Sequence, residues 1–206
     1  MKKNLEIIFV RHGESYGNIS SDNPDYHSED PSLTEEGLRQ SELLSKRFER
    51  GYIDRLFASP LMRAVQTARP TAEKLDLKIQ LVPDLVEVGT KFSGTDFELL
   101  KRETPLVVSC DRYLSAESES GTETTAQSFA RAQRCLDYLF SVSKDNERIM
   151  VVSHGTFLGY LIRCALGLGA EPTFRLQEDN SAITHIAFFA DDTPKLKYAN
   201  DTLHLR

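Results

Sequence analysis

Short apolar runs alternate along this chain with segments of helical periodicity, and that alternation limits the fold more than any other feature. Leu5 to Val10 is a β-rich run that stops at Arg11-His12-Gly13, the pattern of a buried strand followed by a functional loop. Thr34 then precedes Glu35 and Glu36, with apolar residues at Leu38, Leu43, Leu44 and Phe48. A threonine N-cap with acids in the first turn predicts a helix start. Asp54 to Ala58 reads as a second strand closed by Ser59-Pro60. Pro60 suits the first turn of a following helix through Met62, Val65 and Ala68, which Pro70 is expected to kink or end. Lys78 to Val82 gives a third strand, and Phe129, Ala132, Leu136, Leu139 and Phe140 a helical stripe. Arg148 to Val152 gives a fourth strand and Phe157 to Leu168 an apolar helix. Ala182 to Phe189 is a further strand and Lys195 to Tyr198 an edge strand. The order predicts an α/β fold, a three-layer α/β/α sandwich whose central sheet is mostly parallel. Residues 1–206 are expected to form a single domain. Glu87 to Thr124 breaks the pattern with Gly89, Gly94, Pro105 and the polar stretch Ser115 to Ser120, so a lid or insertion is expected at about 88–124.

Composition narrows the partners. Hydrophobic residues make up 40% of the 206 and charged residues 27%, which fits neither a disordered chain nor a membrane protein. The formal net charge of -6 argues against a broad nucleic-acid footprint but leaves room for a small positive pocket. Cys110, Cys135 and Cys164 lie far apart with no CxxC, which favours a reducing compartment. The apolar run behind Met1-Lys2-Lys3 is too short for a signal peptide, so the expected location is the cytoplasm. Oligomeric state is left open.

Two places share one grammar, a hydrophobic strand ending in a histidine followed by glycine: Val10-Arg11-His12-Gly13 and Val152-Ser153-His154-Gly155. Ligands bind at the C-terminal ends of parallel strands, so both histidines should reach one rim. Touching one phosphate would put the two rings roughly 4 to 8 Å apart. Arg11 and Arg63 can join them, since guanidinium forks match phosphate oxygens and nearby helix N-termini add N–H donors. The pocket this predicts holds a phosphoryl group rather than a metal. Neither HExxH nor any other recognisable zinc spacing occurs, nothing groups His27, His185 and His204, and no glycine-rich nucleotide loop is present. No metal or cofactor is expected.

These residues fall into ordered blocks. Arg11-His12-Gly13-Glu14-Ser15 with Asn18, Leu33-Thr34-x-x-Gly37-x-x-Gln40, Ser59-Pro60-Leu61-x-Arg63-Ala64-x-Gln66-Thr67-Ala68, Leu85-Val86-Glu87 and Val152-Ser153-His154-Gly155 follow one another between residue 6 and about residue 190. Together they resemble the histidine phosphatase superfamily, its phosphoglycerate mutase-like branch. The resemblance implies that His12 attacks phosphorus and becomes a phosphohistidine, that Glu87 is the general acid, and that His154 is catalytic and binds phosphate. It also implies phosphate contacts from Arg11, Asn18 and Arg63; Asn18 could instead cap its turn. Glu14 is expected to hold His12 or Arg63 in place. The family often carries Gly-x-Trp-Glu-Gly after the acid, where this chain has Lys91-Phe92-Ser93-Gly94. The segment from Glu87 to Thr124 is also shorter than the insert of the glycolytic mutases. The expected activity is therefore hydrolysis of a small phosphorylated metabolite, with a phosphomutase as the alternative.

Overall fold

The structure, a computed structural model, describes residues 3–19, 28–89, 95–109, 123–171 and 176–206. The strands are β1 (Leu5–Arg11), β2 (Arg55–Ala58), β3 (Ile79–Leu81), β4 (Val107–Ser109), β5 (Glu147–Ser153), β6 (Ile183–Phe189) and β7 (Asp192–Asp201). They form one seven-stranded sheet in the order β4-β3-β2-β5-β1-β6-β7. The first five strands of that order run parallel, and β6 and β7 join antiparallel at one side. The helices are α1 (Glu35–Ser45), α2 (Met62–Leu75), α3 (Phe97–Glu103), α4 (Thr125–Val142) and α5 (Gly155–Ala165).

Alternation along the central strands divides the core in two. Ile7, Phe9, Phe57, Ile149 and Val151 face one side and pack with Leu136 and Leu139 of α4 and Phe157 and Leu161 of α5. Ile8, Val10, Leu56, Ala58, Met150 and Val152 face the other and pack with Leu44 of α1 and Val65, Ala68 and Ala72 of α2. Both faces of a parallel sheet are thus covered, giving a single α/β/α sandwich.

Three details differ from the sequence reading. Pro60 lies outside its helix, because Leu61 is the N-cap and α2 starts at Met62. Pro70 neither ends nor shortens α2, whose buried stripe of Val65, Ala68, Ala72 and Leu75 continues to the last turn. The packing of that stripe outweighs the backbone hydrogen bond that proline removes. Finally α5 stops before Leu168, since Gly167 adopts φ 69°, in the left-handed region. There Leu168 N–H donates to Arg163 O at 2.9 Å and Gly167 N–H to Cys164 O at 3.1 Å, a Schellman closure.

The expected lid contributes α3 and the edge strand β4, which pairs in parallel with β3. Lys91 to Gly94, Cys110 and Ser115 to Ser120 lie outside the described residues, as does His27. Cys135 and Cys164 are buried free thiols. Among the described residues no helix is long and apolar enough to cross a membrane.

Candidate active site

Sheet register brings the two histidines together. Arg11 is paired with Ser153 across β1 and β5, so the next residue on each strand, His12 and His154, leaves the sheet at the same level. His12 N–H donates to Ser153 O at 2.9 Å. The imidazole centroids are 5.1 Å apart and the rings are tilted by 58°. On the other side of β5, Ala58 pairs with Val152 and delivers Ser59, whose Oγ lies 2.8 Å from His154 Nε2.

His12 Nδ1 lies 2.7 Å from Gly13 O, so that nitrogen carries the ring proton of the neutral imidazole. Nε2 is left with its lone pair and accepts from Arg63 Nε at 3.3 Å. Burial, then the positive charge of Arg63, hold His12 well below the usual histidine range. The same two causes, followed by His12 itself, hold His154 well below it. Both rings are therefore neutral at neutral pH in the unliganded protein.

Arg63 stands one residue into α2 and pairs with Asp30, Nη1 to Oδ1 at 3.4 Å. Arg11 closes β1; its Nη1 donates to Glu178 O at 2.7 Å, and its Nε is buried without a hydrogen-bond partner among the described residues. The Arg11 guanidinium lies against Gly155, where a Cβ would come within 3.2 Å of Nε. Burial pulls both arginines down from their ordinary value, while Glu87 acts on each to raise it. Glu87 thus shares the field of both cations. Its Oε1 accepts from Phe157 N at 2.9 Å and Val88 N at 2.8 Å, and its Oε2 from Thr156 N at 3.2 Å.

That contact corrects one expectation. The first-turn donors Thr156 and Phe157 of α5 are taken by Glu87, and Met62 N of α2 donates to Asp30 Oδ2 at 2.8 Å. Both helix N-termini are capped by carboxylates, so side chains, not those amides, are the donors left for an anion. Glu14 likewise holds neither His12 nor Arg63, because its Oε1 accepts from Thr34 Oγ1 at 2.7 Å. Asn18 spends its Oδ1 on Ser15 N and Ser15 Oγ, each at 3.0 Å, as a turn cap. Asn180 Nδ2 also reaches that oxygen, at 3.2 Å, and His12 O at 3.1 Å.

The structure therefore gathers His12, His154, Arg11, Arg63 and Glu87 at one rim, with Asn18 at its edge through Asn180. Sequence reasoning missed Asp30, Asn180 and Glu178. Asp30 and Asn180 lie in polar stretches without periodicity, and only long-range contacts reveal them. Ser59 and Thr67 sit inside the third sequence block, and Thr67 Oγ1 accepts from Gly13 N at 2.9 Å. Beside the rim opens a cavity of about 550 Å³ whose lining includes Arg11, Glu87, Tyr160, Arg163 and Glu178. Among the described residues no group of three or more histidine, cysteine, aspartate or glutamate side chains is placed to hold a metal ion.

Two buried imidazoles and two arginines facing one carboxylate, at the C-terminal rim of an α/β/α sandwich, define a phosphoryl-transfer site of the phosphohistidine type. The chain belongs to the histidine phosphatase superfamily (branch 1), whose family model matches residues 7–202. It is 30% identical over 219 residues to "Probable phosphoglycerate mutase GpmB" of Yersinia pestis (strain Pestoides F), with 98% of this chain and 95% of that protein covered. Among solved structures it is similar to a phosphoserine phosphatase from Entamoeba histolytica in complex with 3-phosphoglyceric acid, at 26% identity and a TM-score of 0.67, covering 98% of this chain and 100% of that one. The alpha-ribazole phosphatase from Shigella flexneri shares the fold, with a TM-score of 0.67 at 24% identity over 95% of this chain and 96% of that one. The reaction is phosphohistidine-mediated phosphotransfer or hydrolysis on a small phosphate ester.

Proposed function

We propose that this chain is a phosphatase that hydrolyses small phosphomonoesters, with His12 as nucleophile and Glu87 as general acid. The observation that carries the reading is the state of His12: Nδ1 is engaged by Gly13 O, the ring is neutral, and the lone pair of Nε2 faces Arg63. A phosphoryl group held by Arg11, Arg63 and His154 meets that lone pair. His12 Nε2 forms the P–N bond as the P–O ester bond breaks, and Glu87 delivers a proton to the departing alkoxide. Water then attacks phosphorus, Glu87 takes its proton, and the P–N bond breaks to release inorganic phosphate. In this reading the arginines supply the positive charge, joined by His154, which takes a proton from solvent when the bound dianion raises its proton affinity, and no metal is required.

A phosphomutase is the second reading, favoured by the name that the Yersinia pestis relative carries. A mutase needs a second anion site and must keep water out. The cavity beyond Glu87 offers Arg163, but its Nη2 donates to Gly169 O, and the carboxyl of Glu178 stands on the same lining. Lys101 and Arg102 of α3 are exposed. This balance supports hydrolysis.

The test separates the two residues. His12→Ala should abolish turnover and the labelled phosphoenzyme together. Glu87→Gln should lose about a hundredfold or more on an alkyl phosphate, within the roughly 10²- to 10⁴-fold worth of general acid catalysis, and much less on nitrophenyl phosphate. A phosphoenzyme that survives His12→Ala, or an equal loss on both esters with Glu87→Gln, overturns the assignment. Transfer to a second acceptor hydroxyl in preference to water would select the mutase.

A further inference from the structure

We propose that Arg131 is a positioning residue that holds Glu87 in place for proton transfer, an inference that rests on the reading of Glu87 as the acid. Arg131 lies in α4, and only 7% of it is exposed. Its Nη1 donates to Asp84 O at 2.7 Å and to Val86 O at 2.8 Å, the carbonyls three residues and one residue before Glu87. Its Nε and Nη2 form a fork on Glu123, to Oε1 at 2.7 Å and Oε2 at 2.6 Å. Four of its five N–H donors are thus committed.

The same guanidinium stacks on the Phe157 ring, with Cζ 4.0 Å from the centroid. Phe157 is the residue whose backbone N–H donates to Glu87 Oε1. Arg131 therefore fixes both ends of one contact, the loop that carries the carboxylate and the residue that anchors it. Glu123 is set in turn by the start of α4, where Thr124 and Gln127 form a capping box. An arginine held only for stability would need a partner, but not two carbonyls of the short segment that leads into an acid. Lysine cannot reproduce this arrangement, since a single ammonium cannot span two carbonyls, a carboxylate fork and a ring face at once.

Kinetics with two leaving groups test this. Arg131→Lys should lower kcat/KM on glycerol phosphate by about 10- to 100-fold, the scale of a misplaced catalytic group. On nitrophenyl phosphate, which needs no proton, it should stay within about threefold, well under the tenfold that 1.4 kcal/mol produces. Added to Glu87→Gln, it should cost nothing further on glycerol phosphate, because the two act through one proton. An equal loss on both esters, or losses that multiply in the double variant, would make Arg131 a purely structural residue and overturn the proposal. Should Arg131→Lys fail to fold, Glu123→Gln removes one arm of the brace and is read by the same contrast; no contrast there overturns it equally. Failure of the underlying reading looks different, since Glu87→Gln alone would then show no contrast between the esters.

Discussion

The proposed nucleophile must be neutral, and His12 is held so by burial beside two cations rather than by a strong base. The carbonyl of Gly13 fixes which nitrogen holds the proton, and it is the one influence acting to raise the ring's proton affinity. Burial and Arg63 act against it and prevail. The arrangement has a direct consequence for titration. In the anion-free protein, NMR of the imidazoles should show His12 and His154 with midpoints well below 6.5. Arg63→Met should move both midpoints upward together, because Arg63 is the largest charge acting on each. A His12 midpoint at or above 6.5, or one that ignores Arg63→Met, would mean the ring is not held as described.

At the scale of elements, the site depends on how tightly the loop after β1 is gripped. Thr34 N–H donates to Glu14 O at 3.0 Å, Gln40 Oε1 accepts from Glu14 N at 2.8 Å, and Gln66 Oε1 accepts from Leu33 N at 2.8 Å. Gly37 in the first turn of α1 makes the grip possible, since a Cβ there would stand 1.9 Å from Glu14 O. That oxygen belongs to the backbone, so the loop must move if Gly37 becomes alanine. Gly37→Ala should destabilise the protein by about 1–3 kcal/mol, the usual cost of overpacking, and lower the melting temperature by about 2–4 °C per kcal/mol. It should also depress kcat/KM by shifting His12. Melting and turnover matching the unsubstituted protein would show that the loop is not clamped there. The threonine, glycine and glutamines of this clamp were legible in the sequence as spaced blocks, while their work was not. Strands ending in His-Gly were legible because an apolar run and its interruption are local signals. Arg131 was hidden inside the apolar stripe of α4 because its role comes from partners far along the chain, and the strand at Val107–Ser109 because an apolar run of three residues is too short to signal a strand by itself.

For the whole molecule, these buried groups set opposing slopes of stability against pH. His12 and His154, neutral in the fold but free to take protons below 6.5 when unfolded, make stability fall as the pH drops below that value. Glu178 works in the other direction. Its side chain is buried, both carboxyl oxygens lie about Thr184 Oγ1 at 2.9 and 3.0 Å, and burial pushes it up from 4.5 to about 7. The folded protein therefore holds that proton through a range in which the unfolded chain has lost it. Stability supplied by Glu178 is present below about 4.5 and is lost as the pH rises to about 7. At about 1.4 kcal/mol per pH unit, the loss is on the order of 3 kcal/mol. Glu178 thus opposes the rising contributions of His12 and His154. Glu178→Gln isolates the falling one, because glutamine keeps the shape and cannot ionise. Urea unfolding should give this variant a stability relative to the unsubstituted protein that improves by about 3 kcal/mol between pH 4.5 and pH 8. A difference between the two proteins that is the same at both pH values would show that Glu178 is ionised in the fold throughout, and that the falling slope belongs to another group.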